Sequence, residues 1–103
     1  MRYTTALLLA TTAYSAVVQL NWNITYVTGV NPDKAFARRA VGVNGQWPPP
    51  AIVVDLGDTL IINANNQLDV GTSLHSHGLF QNGTTWMDGA AGVTQCHIGV
   101  GER

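Results

Sequence analysis

The stretch VVQLNWNITYV, residues 17–27, decides the fold. Val18, Leu20, Trp22, Ile24 and Tyr26 alternate with Gln19, Asn21, Asn23 and Thr25. Side chains on a strand point to opposite faces in turn, so this period of two predicts a strand with one apolar and one polar face. Downstream the same grammar repeats. Residues 29–33, GVNPD, read as a turn. Residues 38–50, RRAVGVNGQWPPP, hold a short strand around Val41 and Val43, an Asn44-Gly45 turn signal and a proline run unsuited to a central strand. AIVVDL (51–56) is β-branched and reads as a strand, Gly57-Asp58 as a tight turn, and TLIINANNQ (59–67) and TSLHSHGLF (72–80) as two further strands. No helical period follows the first residues. The expectation is an all-β chain, an antiparallel sandwich or barrel.

A sandwich takes roughly seven strands. About five are legible, and TQCHIGVGER (94–103) carries no closing strand. Either the final strands are absent or the chain is a piece of something larger. With unpaired edges and apolar faces left open, the expressed chain is expected to aggregate or stay molten.

Residues 1–16, MRYTTALLLATTAYSA, have a basic start at Arg2, an apolar run at Leu7–Leu9 and small residues at Ala13, Ser15 and Ala16. That pattern predicts a secretory signal peptide, cut after Ser15 or Ala16, ahead of a domain over 17–103. It is too short and too rich in Thr to span a bilayer. Asn23-Ile24-Thr25 and Asn82-Gly83-Thr84 are N-glycosylation acceptors, which fits export. Charged residues make up 11% of the chain and the formal net charge is -1. Neither suggests nucleic acid as a partner; Arg38-Arg39 is too small for a basic patch. The single cysteine, Cys96, is odd for an exported chain and points to a missing partner or a buried thiol.

His75 and His77 carry the chemistry. On an extended chain they share a face, about 6–7 Å apart, with Ser76 facing away. Two neutral imidazoles suit copper or zinc, and that spacing also suits one imidazole on each of two neighbouring metals. The pair is incomplete alone, since a metal takes three or four protein ligands. Asp88 offers either a carboxylate or a turn cap before Gly89. A small blue-copper site from His75, Cys96, His97 and Met87 is excluded on geometry: adjacent Cys96 and His97 point to opposite faces, and no Met follows them.

The ordered motifs Asn44-Gly45, Pro48, Pro50, Ile52, Gly57-Asp58 and His75-Ser76-His77-Gly78 together resemble the N-terminal part of a multicopper oxidase, over about residues 20–96. The resemblance implies a cupredoxin-like, Greek-key β-sandwich, incomplete at its C-terminus. It implies His75 as a ligand of the type 2 copper, His77 as a ligand of a type 3 copper, and Asp88 as the acid that supplies protons during dioxygen reduction. It also implies that Cys96 forms a disulfide with a residue outside this chain. PPP stands where PGP is usual, and His97 where a proline is common. One of the family's four His-X-His pairs is present; its His-Cys-His stretch is not.

HSHGLFQNGT and WMDGAAGVTQC look most like the fungal iron-transport ferroxidases. In laccase-like phenol oxidases a tryptophan between the histidines is more usual. The expectation is therefore part of a secreted or cell-surface multicopper oxidase. Ferrous iron and dioxygen would be its substrates, and an iron permease a possible partner. A phenolic substrate, or a non-catalytic copper-binding domain, is the alternative. The chain alone is expected to show no oxidase activity.

Overall fold

A computed structural model describes residues 14–103, so the expected signal peptide lies almost wholly outside the described residues. Three strands form one sheet: β1 (Val17–Val30), β2 (Arg38–Val43) and β3 (Thr59–Asn66), in the order β2-β1-β3. β1 alternates as its residues dictate: Val18, Leu20, Trp22 and Ile24 turn inward, and Gln19, Asn21 and Asn23 turn out. The all-β reading holds, with one single-turn 3₁₀ helix at Thr85–Met87.

The sheet is mixed. β1 pairs antiparallel with β2, Ile24 opposite Val43, and parallel with β3 from Val17↔Thr59 to Ile24↔Asn66. The antiparallel expectation thus holds for one of the two pairings. A parallel neighbour needs a long crossover, and residues 31–58, β2 among them, supply it between β1 and β3. The part that joins β2 to β3 begins with the predicted turn. Asn44 (φ 51°) and Gly45 (φ 78°) both lie in the left-handed region, as a two-residue turn with both φ positive requires. Asn44 also bonds β1, accepting from the Asn23 amide at 2.8 Å and donating to the Asn21 carbonyl at 3.3 Å.

Two expected strands are not strands. Residues 51–56 are exposed and belong to no ladder among the described residues. Their β-branched run gives propensity, but a strand needs a partner for its main-chain groups. Residues 72–80 form no strand either; only Thr72 makes a bridge, to Ile98.

The small core gathers where the β1–β3 ladder ends. Ile24, Ala64 and Leu68 are buried together, with Tyr26, Leu74 and Ile98 packed against them. Asn66, fully buried, is the polar hub. Its Nδ2 lies 2.8, 3.0 and 3.1 Å from the carbonyls of Val70, Ile98 and Gly99, and its Oδ1 accepts from the Leu68 amide at 3.0 Å. One side chain thereby ties β3 to the chain's last turn. Half-buried Tyr26 donates to Asp69 at 2.5 Å, beneath the Arg39 guanidinium 3.8 Å from the ring centroid. That hydrogen bond raises the phenol's pKa and lowers the carboxyl's.

Candidate metal centre

The histidines lie on a loop held extended by single contacts. The Thr72–Ile98 bridge fixes its start, and the amides of Thr72 and Ile98 donate to each other's carbonyls at 3.1 and 2.8 Å. Leu79 N–H donates to the Ser76 carbonyl at 3.3 Å, closing a turn in which Gly78 takes φ 85°. Between these points the strand-like alternation survives without a strand. Leu74 and Ser76 face a groove of about 610 Å³ that is also lined by Leu60, Ile62 and Ala64 of β3. His75 and His77 stand on the exposed side, ring centroids 5.7 Å apart and planes at 79°. The shared face expected of the pair is present, close to the expected spacing.

Asp88 is the third member of the site. Its main-chain carbonyl lies 2.7 Å from His75 Nδ1. A carbonyl only accepts, so Nδ1 carries the proton and the lone pair of the neutral ring sits on Nε2. The Asp88 carboxylate stands 3.4 Å from the same Nδ1. The Ser76 amide points to the same carbonyl at 3.4 Å, so residue 88 braces the histidine loop from beneath. The Asp88 C=O thus shapes the loop, and its carboxylate lies beside the same His75 nitrogen.

Gly89 makes this approach possible, and residue types alone do not reveal it. It is buried with φ 77°. A Cβ there would sit 1.6 Å from the Leu74 carbonyl oxygen, which no side chain tolerates. The sequence signal was the Asp-Gly pair, legible as a turn but not as a point of contact between two loops.

Among the described residues, no group of three or more His, Cys, Asp or Glu side chains is placed to hold a metal. Cys96 is exposed and unpaired. His97 is exposed, and its Cβ lies beside Gly71. Asn82 lies in an exposed turn; Asn23 lies on the outer face of β1, its Oδ1 accepting from Asn65 at 3.2 Å.

The scaffold is a mixed all-β sheet that presents two imidazoles side by side, with a main-chain carbonyl against one of them. The multicopper oxidase family model matches residues 23–103, and this chain belongs to that family. It is 52% identical over 100 residues to the iron transport multicopper oxidase fetC of Epichloe festucae, covering 94% of this chain and 16% of that protein. It superposes on the crystal structure of Fet3p, described as a multicopper oxidase that functions in iron import, with TM-score 0.74 and 41% identity, covering 82% of this chain and 16% of that one. The laccase from Botrytis aclada matches with TM-score 0.77 and 40% identity, covering 89% and 17%. The chain therefore spans about a sixth of the length of these relatives. The cupredoxin-like all-β fold is shown by these neighbours, and the cofactor that the family implies is copper.

Proposed function

We propose that this chain supplies one histidine pair and one acid to the copper centre of an iron-oxidising multicopper oxidase. The observation that carries the reading is the pairing of His75 and His77 at 5.7 Å with the His75 Nδ1–H committed to the Asp88 carbonyl. The donor set fits copper in kind: borderline imidazole nitrogens, one already oriented by the outer hydrogen bond that metal-ligating histidines characteristically make. His75 would ligate the type 2 copper and His77 a type 3 copper. Bound copper supplies one-electron redox chemistry coupling substrate oxidation to dioxygen reduction.

The chain's own residues do the rest. The Asp88 carbonyl holds the His75 tautomer, so the ring presents Nε2 without rearrangement. The Asp88 carboxylate, its side chain 23% exposed, holds or releases a proton at Oδ2. Dioxygen reduction consumes protons, so an acid beside the pair relays them. Ser76 keeps the centre of the loop small, which with the iron-transport relatives favours ferrous iron over a phenol.

Around this core, the first residues, up to Ser15 or Ala16, act as a secretory signal and the parent protein works outside the cell or at its surface, beside an iron permease. Asn23 and Asn82 carry glycans. Cys96 pairs with a residue outside this chain, and its exposure supports that availability.

The test is titration of the secreted chain with Cu(II) under electron paramagnetic resonance. Imidazole nitrogen coupling is expected, with His75→Ala and His77→Ala each weakening binding at least about tenfold, roughly 1.4 kcal/mol. Binding unaffected by both substitutions sinks the reading. Neither ferrous iron nor a phenol should be turned over by the chain alone; turnover would show that more of the oxidase resides in it than one histidine pair.

A further inference from the structure

Two bonds below residue 58 do not involve the copper site. The Ala16 amide donates to Asp58 Oδ1 at 2.7 Å, and the Ala16 carbonyl accepts from the Thr59 amide at 2.8 Å. The second is the first rung of the β1–β3 pairing, one residue before Val17↔Thr59. Asp58 is itself clamped in its turn: Oδ2 accepts from the Asp55 amide at 3.0 Å, and its own amide donates to the Asp55 carbonyl at 3.1 Å. The sheet thus begins at Ala16 with a carboxylate aimed at that residue's nitrogen. Tyr14, two residues earlier, is 91% exposed.

The Ala16 nitrogen lies 2.7 Å from Asp58 Oδ1, a position in which an ionised donor would pair more strongly than an amide, both partners then being charged. We infer that the secretory cut falls between Ser15 and Ala16, and that the new Ala16 α-ammonium pairs with the Asp58 carboxylate to lock β1 against β3. This rests on the proposed secretory signal and fixes where that signal ends. Water adds across the Ser15–Ala16 peptide bond under a signal peptidase, leaving a carboxylate on Ser15 and an ammonium on Ala16. The sequence agrees independently. A cut after Ser15 places small residues, Ala13 and Ser15, at the two positions before the bond that such enzymes read. A cut after Ala16 puts bulky Tyr14 at the outer one and deletes the donor facing Asp58. Asp55 is the other ionisable residue in that turn, and its main chain, not its carboxylate, meets Asp58.

The experiment is secretion of the full 103-residue chain from a eukaryotic host, followed by mass spectrometry of the N-terminal peptide. A start at Ala16 is expected. A start at Val17 or elsewhere overturns this inference and leaves the secretory reading intact; an uncut chain retained in the cell overturns both. The pairing has its own readout, the rate at which a neutral amine reagent labels the α-amine near pH 7.5. An α-amine of ordinary pKa, about 7.7–8.0, is appreciably free at that pH; pairing raises the pKa and should slow labelling roughly three- to tenfold relative to a short peptide of the same first residues. Asp58→Asn should restore the peptide's rate and Asp55→Asn should not. Equal rates in chain and peptide, or equal acceleration by both substitutions, overturn the ion pair.

Discussion

Two regions beside β3 are built on different principles. At its C-terminal end, Ile24, Ala64 and Leu68 are buried around Asn66, and every polar atom of that asparagine's side chain has a partner. Across the groove, the histidine loop shares no ladder, exposes both imidazoles, and leans on one carbonyl and one glycine. Within it, Leu79 and Phe80 are exposed. The first region stores stability in mutual burial. The second stores geometry, and these apolar side chains stay uncovered. A site that must bind and exchange cannot be packed shut, so its shape is fixed by few, irreplaceable contacts.

That contrast can be broken most forcefully at Gly89. Gly89→Ala puts a methyl where the Leu74 carbonyl sits, in a left-handed conformation that disfavours alanine. About 4 kcal/mol of local destabilisation is expected. Hydrogen exchange should show loss of protection around 74–76 and 88–90, with copper binding lost and the β1–β3 amides unaffected. Equal loss in both regions would mean that they fold as one unit. At the other pole, Asn66→Ala leaves the Val70 carbonyl and the Leu68 amide without a partner, while the Ile98 and Gly99 carbonyls keep the Thr72 and Glu102 amides, at about 3 kcal/mol. Its signature is faster exchange at Leu68 and Ile98, spreading to the Thr72 bridge.

A smaller effect comes from pH. The Ala16 and Asp55 amides hold the Asp58 carboxyl below its ordinary 3.8, and the Tyr26 phenol does the same for Asp69. For a depressed pKa, the folded state binds fewer protons than the unfolded one. The stabilisation is complete above about 3.8 and is lost as pH falls through the lower folded values. Tryptophan fluorescence between pH 5 and pH 2 should report loosening of the sheet region below pH 4, and Asp58→Asn should flatten that response. Tyr26 works oppositely: its raised pKa gives a contribution present below 10.0 that disappears as pH rises past the folded value. The smallest effect on stability belongs to His77→Ala. The ring is exposed, so the change should stay within about 0.5 kcal/mol while copper affinity falls.

The alternation of residues 17–27 and the β-branched content of 59–66 determined two strands and their inner faces, because burial of one face leaves its period in the sequence. The Asn44-Gly45 turn was legible for a similar reason: few residues accept positive φ. His75 and His77 were legible as a pair because an extended chain repeats every two residues, with or without a partner strand. The tertiary structure decided what depends on residues distant along the chain. Residues 51–56 had strand propensity but gained no ladder, since pairing needs a partner as well as a preference. The parallel match of β1 with β3, the burial of Asn66, the contact that only Gly89 permits and the tautomer of His75 all arise where chain segments meet. No local pattern encodes such meetings, because each depends on which backbone group happens to stand opposite.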